Sequence, residues 1–209
     1  MNNETKNTNR PIDTVSYGET VIPQNRLDYL SWKCRETLER NPGNVLEVGV
    51  YKGGTLLSLA KVVEEICPQF KVYGVDTFVG HPYTDGHPVH PKGKYGDINK
   101  EKLEKFIESK HLDKWVTLFD GKIEEIFKQL ELKNISFAHI DCDLYIPVKY
   151  CAENVPSVMN NHGVIYFDDY GHEHCPGATK AVEEVFEKYQ IHRVYIPDDD
   201  TCWSGYVQL

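Results

Sequence analysis

The sequence predicts one α/β domain: a seven-stranded, mostly parallel sheet with helices on both faces and an antiparallel hairpin at its C-terminal end. Three observations predict it. Apolar segments of strand length alternate with helical segments from residue 44 to residue 190, the pattern of repeated β-α-β units. Those strand segments are continuously apolar, as strands covered on both faces are. The last two are separated only by the turn DDDT (198–201), too short for a crossover, so that pair must run antiparallel.

Taken in order, residues 1–22 are polar and rich in Asn and Thr. A helix is expected over 24–41, where Leu27, Leu30, Cys34 and Leu38 recur at helical spacing and Asn41-Pro42-Gly43 stops it. NVLEVGV (44–50) is a strand, TLLSLAKVVEEI (55–66) a helix and KVYGVD (71–76) a strand. Residues 77–98 show no periodicity, and a loop that long inside a compact domain usually serves function. NKEKLEKFIESK (99–110) is an amphipathic helix, WVTLF (115–119) a strand, KIEEIFKQL (122–130) a helix and ISFAHID (135–141) a strand. A helix over about 147–159, the strand GVIYFDD (163–169) and the helix ATKAVEEVFEKYQ (178–190) follow. HRVYIP (192–197) and CWSGYVQL (202–209) make the hairpin.

The net charge of −9, from 23 basic and 32 acidic residues, argues against nucleic acid or an anionic membrane as the main partner. No run of 18 apolar residues exists, so no membrane span is expected, and the start MNNETKNTNR lacks the apolar core of a signal peptide. Six scattered cysteines without a C-x-x-C pair suit a reducing compartment, and a cytoplasmic location is expected.

Ligands of open parallel sheets bind beyond the carboxyl ends of the strands. Glu47, Asp76, Asp120, Asp141, Asp168 and Asp169 stand at or near such ends and are expected to line one crevice. In NVLEVGVYKGGT (44–55) a strand enters a glycine-rich turn and then a helix. Gly49, Gly53 and Gly54 permit positive φ and close backbone approach. Tyr51 holds the second glycine position of G-x-G-x-x-G, so the dinucleotide fingerprint is not met. Glu47 suits a ligand with a cationic end, such as the amino group of S-adenosylmethionine; a plain βα turn explains the same residues without a ligand. Asp76 is placed to accept ribose hydroxyls, or is a solvated strand end. Asp120-Gly121 either meets an adenine amino group or caps the next helix.

The spacing of Asp141 and Asp143 at one strand exit, and Asp168 and Asp169 at the next, points to a hard cation such as Mg²⁺. Caps and turns are the alternative, but carboxylates crowded together without a cation repel. HEHC (172–175) lacks a second ligand cluster, so zinc is not favoured there. His81, His87 and His90 of the long loop are expected to line the crevice or face solvent rather than bind metal.

EVGVYKGG (47–54), VDTFVG (75–80), HIDCDLY (139–145) and YFDDYGHEHCPGATKAVEEVF (166–186) together resemble the macrocin/mycinamicin O-methyltransferase family over about residues 43–189. The resemblance implies a Rossmann-like class I methyltransferase fold, with S-adenosylmethionine and Mg²⁺ as cofactors. It implies methyl transfer to a hydroxyl of a small acceptor, a sugar or natural-product glycoside. It assigns metal ligation to Asp141, Asp168 and Asp169, and the general base to Asp143. It assigns cofactor contacts to Glu47, Gly49, Asp76 and Asp120, with Tyr51, Gly53, Thr55, Thr77, Phe78, Gly121 and Asp141 in the same turns. The sequence departs from the family pattern at Cys142 and at Ile146-Pro147, and residues 1–42 show no clear counterpart. Catechol methyltransferases carry a lysine three residues after the first aspartate, where this chain has Leu144.

The implied reaction is an in-line displacement. Mg²⁺ chelates two vicinal oxygens of the acceptor, Asp143 takes the proton, and the 77–98 loop closes over the pair. His81 is the competing base. A glycosyltransferase using D-C-D (141–143) as its D-x-D, and a cofactor-binding module without turnover, are the rival readings. Residues 1–42 are expected to form an arm and helix acting as a lid or as oligomer contacts, beside a methyltransferase domain over 43–209, in a homo-oligomer.

Overall fold

The computed structural model describes residues 15–195 and 204–209. Seven strands form one sheet in the order β3-β2-β1-β4-β5-β7-β6. They are β1 (Asn44–Val48), β2 (Val72–Asp76), β3 (Val116–Asp120), β4 (Ile135–Ile140), β5 (Met159–Phe167), β6 (His192–Val194) and β7 (Ser204–Gln208). The first five are parallel, while β7 runs antiparallel between β5 and β6. The expected turn 198–201 and Cys202 lie outside the described residues.

Six helices cover the sheet: α1 (Gln24–Arg40), α2 (Gly54–Ile66), α3 (Lys100–Ser109), α4 (Ile123–Ile126), α5 (Tyr145–Asn154) and α6 (Pro176–Val185). Alternation along the strands divides the core in two. Val45 of β1 and Phe137 of β4 pack with Leu30, Cys34 and Leu38 of α1 and with α2 and α3. Leu46, Val48, Ala138 and Ile140 face the other way, toward α5 and α6. Each face therefore buries an apolar helix stripe, and α1 is part of the core rather than an appendage.

Boundaries moved where local chemistry decided them. β5 starts at Met159, four residues early, because a register shift lets Ile135 pair with Met159 before Phe137 pairs with Val164. α5 starts at Tyr145, since Pro147 sits in the first turn, where its missing N–H costs nothing. The expected helix 122–130 shrinks to α4 plus a 3₁₀ turn over Phe127–Gln129. α6 stops at Val185, where Phe186 turns in to pack against Phe167 at 5.9 Å between ring centres.

Parallel register lines the strand exits up: Val48 beside Val75 and Ile140, Asp76 beside Asp120, and Ile140 beside Phe167. The loops that follow therefore converge at one edge of the sheet.

Candidate active site

A cleft with a cavity volume of about 120 Å³ opens at that edge. Gly49, Tyr51, Asp76, Thr77, His81, Gly121, Asp141 and Asp143 line it, so eight sequence-predicted residues meet there. The 77–98 loop supplies much of the wall, with Tyr83 and Tyr95 beside His81. Val21 closes it from the segment before α1.

Not all six strand-end carboxylates reach the cleft. Glu47 is fully buried inside the sheet, where its Oε1 lies 3.0 Å from His139 Nδ1. Asp120 is exposed at the end of β3 and caps no helix; Lys122 holds the N-cap position of α4 without a side-chain capping bond. Asp168 and Asp169 are buried behind Asp141. Gly53 and Thr55 open α2, with Thr55 Oγ1 3.3 Å from Thr20 Oγ1, and Phe78 packs into the core.

Tyr95 (φ 62°), Tyr51 (φ 48°), Phe78 (φ 50°) and Asp143 (φ 60°) hold left-handed backbone around the cleft, the last three beside a carboxylate. Such residues persist where the surroundings over-determine them, and here carboxylates do so. Asp76 Oδ2 accepts from Val50 N (2.8 Å) and Tyr51 N (2.9 Å), and its Oδ1 accepts from Phe78 N (2.8 Å). Asp169 Oδ2 accepts from Asp143 N at 2.9 Å. Gly49, at φ 93°, is required for another reason: a Cβ there would stand 1.8 Å from the carbonyl oxygen of Asp141. The glycine turn and the acidic loop thus touch backbone to backbone.

Beside the glycine turn, ligand atoms of Asp141, Asp168 and Asp169 lie within 4.8 Å of one another. Burial, then the Asp168 and Asp169 charges, pushes the Asp141 carboxyl well up; burial, Asp143 and Asp168 do the same to Asp169. Asp168 differs. Burial would raise it, but Arg26 and His139 hold it far below the usual carboxylate range. Arg26 Nη2, from α1, donates to Asp168 Oδ2 and, at 3.2 Å, to its carbonyl. Two carboxylates lacking a full counter-charge beside a third that has one fit a hard divalent cation with oxygen ligands.

Asp143 has other company. His81 Nε2 lies 2.9 Å from its Oδ2; burial would raise the Asp143 pKa, but this hydrogen bond together with the charges of His81, His90 and Lys94 lowers it. Cys175 Sγ is 3.6 Å from Asp143 Oδ1, and His90 Nδ1 is also 3.6 Å from it. The loop carrying His81 is pinned at both ends, by Tyr83 Oη donating to Glu124 (2.7 Å) and by Lys52 donating to Asp97 (2.5 Å). Neither Asp141 nor Asp143 caps α5, whose N-cap is Leu144.

Sequence reasoning missed the roles of Arg26, His139 and Cys175. Arg26 carries no local signal, being 142 residues from Asp168. His139 could have been found: it alternates with Ile140 and so shares the face of Phe137, inside a buried strand.

Comparisons bear on the chemistry. The family described as macrocin O-methyltransferase (TylF) matches residues 1–203. The match starts at residue 1, so it includes the N-terminal segment that the motifs alone left without a counterpart. No curated protein matches. Among solved structures, the O-methyltransferase NovP is similar with a TM-score of 0.77 at 20% identity, covering 95% of this chain and 88% of its own. CalS11, a calicheamicin methyltransferase, gives a TM-score of 0.73 at 18% identity, covering 90% and 81%. An O-methyltransferase from Bacillus cereus in complex with SAH gives 0.63 at 15% identity, covering 90% and 80%. These likenesses show the fold, with its antiparallel C-terminal strands.

Proposed function

The chain belongs to the macrocin O-methyltransferase family, and from that premise we propose that it transfers a methyl group from S-adenosylmethionine to a hydroxyl of a sugar or natural-product glycoside with Mg²⁺ bound. The observation that carries this reading is the arrangement of one cleft. Asp76 and the Gly49 turn line it together with Asp141 and Asp143, and Asp168 and Asp169 stand behind Asp141 in one carboxylate cluster. The family match sets the D-x-D glycosyltransferase reading aside.

S-adenosylmethionine would lie along the turn 49–53, its ribose facing Asp76. Asp76 Oδ1 accepts a single amide and keeps a lone pair for a hydroxyl. Gly121, which donates its N–H to the Asp76 carbonyl at 2.9 Å, leaves the adenine end of the cleft without a side chain. Asp141, Asp168 and Asp169 would hold Mg²⁺, which when bound offers open positions to two vicinal oxygens and acidifies the one attacked.

Asp143 would take the acceptor proton on its carboxylate. His81 holds that carboxylate ionised and aimed, and the N–H of Asp143 on Asp169 fixes the backbone that presents it. Tyr83, Tyr95 and Pro82 exclude water from the reacting pair. CalS11 is a TDP-rhamnose 3'-O-methyltransferase, which supports a sugar acceptor here.

The chain would act as a homo-oligomer in the cytoplasm, with residues before α1 as lid or intersubunit contact. Val21 at the cleft and Gly18 N donating to Lys52 O (2.7 Å) support the lid. No described helix is long and apolar enough to cross a membrane.

The test is calorimetry with S-adenosylhomocysteine, against uridine diphosphate as control. Wild type should bind the first and not the second, and Asp76→Ala should weaken binding at least about tenfold, roughly 1.4 kcal/mol. No binding by the wild type would overturn the reading. Binding without Mg²⁺-dependent transfer to any hydroxylated acceptor would leave a cofactor-binding module.

A further inference from the structure

Asp120 is exposed and takes no part in the cleft lining, which leaves the adenine amino group without its expected acceptor. Strand order supplies another. The strand exits run β3-β2-β1-β4 across this part of the sheet, and with neighbouring strands about 4.8 Å apart, β3 and β4 are about 14 Å from each other. Among the described residues, Asp76, Glu124, Asp141 and Asp143 bring carboxylates to the cleft. Asp141 and Asp143 follow β4, and Asp76 ends β2. Glu124, in α4 just past β3, alone stands on the β3 side. Gly121 N donates to the Asp76 carbonyl at 2.9 Å, which ties the turn before α4 to the ribose-facing residue.

The two carboxylates of α4 have different partners. Glu125 is exposed and takes Lys122 Nζ at 2.7 Å. Glu124 is half-buried, and its Oε1 accepts from Tyr83 Oη of the 77–98 loop at 2.7 Å. Burial and the Glu124 carboxylate push the Tyr83 phenol up, so Tyr83 is the donor of that pair. Among the described residues no donor reaches Glu124 Oε2. One oxygen therefore holds the loop, and the other keeps its lone pairs for a donor in the cleft. A carboxylate accepts and cannot donate, which suits an exocyclic amino group and opposes a ring carbonyl.

We propose that Glu124 reads the exocyclic amino group of the cofactor's adenine through Oε2 and, through Tyr83 on Oε1, couples that reading to the 77–98 loop. This rests on S-adenosylmethionine as the cofactor. Ile123 and Tyr83 line the same part of the cleft and offer apolar surface to the purine ring. Only Pro82 separates Tyr83 from His81, whose Nε2 lies 2.9 Å from Asp143 Oδ2. A correctly seated nucleobase thus also steadies the support of the proton acceptor.

Paired calorimetry with S-adenosylhomocysteine and its 6-oxo analogue S-inosylhomocysteine, on the full chain, tests it. Wild type should prefer the amino compound at least about tenfold, since the carbonyl would face a carboxylate. Glu124→Gln brings an amide that can donate to the carbonyl and still accept from Tyr83, so the preference should fall to about threefold or less, or reverse. The loop is read by tryptic cleavage after the exposed Lys92, followed by mass spectrometry with each ligand at saturation. S-adenosylhomocysteine should slow that cut in wild type more than S-inosylhomocysteine does, and Tyr83→Phe should erase the difference while keeping the binding preference. Equal binding of the two compounds by wild type would overturn this inference and leave the methyltransferase reading standing, whereas no binding of either would overturn both. A preference that survives Glu124→Gln and is lost in Asp120→Asn would put the reading at the strand end and overturn the proposal. If Glu124→Gln fails to fold, the wild-type ratio and the Tyr83→Phe digestion decide.

Discussion

His81 Nε2 lies 2.9 Å from Asp143 Oδ2, so the two residues that compete in the sequence for the role of base form one hydrogen-bonded pair. Asp143 faces the cluster of presumed metal ligands and His81 faces the loop. On the proposed function the carboxylate would be the proton acceptor, and the imidazole its support.

A pair that acts as a unit is not additive. Asp143→Asn should lower kcat by about 10²–10⁴. His81→Ala should cost less, about tenfold, and the double variant should be no worse than Asp143→Asn alone. Rates at saturating cofactor and Mg²⁺ check this. Multiplying effects, or a His81→Ala loss larger than that of Asp143→Asn, would return the base to the histidine.

The carboxylate cluster makes a stability prediction independent of turnover. Asp141 and Asp169 repel each other and Asp168 across a separation under 4.8 Å. Mg²⁺ at a hundred times its dissociation constant should add about 2.7 kcal/mol of stability. Asp141→Asn should raise the unfolding temperature in chelator and lose most of the Mg²⁺ shift. An unchanged Mg²⁺ response in Asp141→Asn would place the ion elsewhere. Chelator should also abolish turnover, and Mg²⁺ should restore it.

Arg26 reaches from α1 to Asp168, and both side chains are buried. Arg26→Met would leave the buried Asp168 carboxylate with His139 alone as counter-charge, a loss of up to about 3–5 kcal/mol. The loss should be largest in chelator and smaller with Mg²⁺ present, because the ion supplies the missing positive charge. Equal losses under both conditions, measured by denaturant unfolding, would show that Arg26 and the metal do not share Asp168.

How much of this could be read from residues alone follows from where each signal sits. The sheet and its reversed last strands were legible because continuous apolar runs and a four-residue turn are local facts. Gly49 and Asp76 were legible for the same reason: one βα turn contains the whole argument. The meeting of Asp141 with Asp168 and Asp169 needed only that β4 and β5 be neighbours, which their order made natural. Arg26 and Cys175 were not legible, since each meets its partner through tertiary packing that no spacing encodes. Glu47 was misjudged by position. One residue short of the strand end, it points into the sheet face under α1 and α2, while Gly49 two residues on reaches the cleft.

His139 gives the last prediction, through its two acidic neighbours. It is fully buried in β4, with Nδ1 3.0 Å from Glu47 Oε1 and Nε2 3.9 Å from Asp168 Oδ1. Burial alone would lower its pKa, but the Asp168 and Glu47 carboxylates outweigh it and raise the pKa to about 10. Burial also pushes Glu47 up. With Asp168 strongly ionised on the far side of the ring, the imidazole is where the shared proton rests. The folded pKa is therefore raised above the ordinary value of 6.5. A raised pKa contributes stability that is full below the unfolded value and is lost as pH climbs through the folded one. His139→Gln keeps a donor toward Glu47 and removes the charge, while Asp141 and Asp169 titrate in both proteins and largely cancel in the difference. In chelator, the gap in unfolding free energy between wild type and His139→Gln should be widest near pH 6 and shrink steadily from about 6.5 to 10. A gap that stays flat or widens across that range would mean that His139 is neutral in the folded protein, and that Arg26 alone keeps Asp168 ionised.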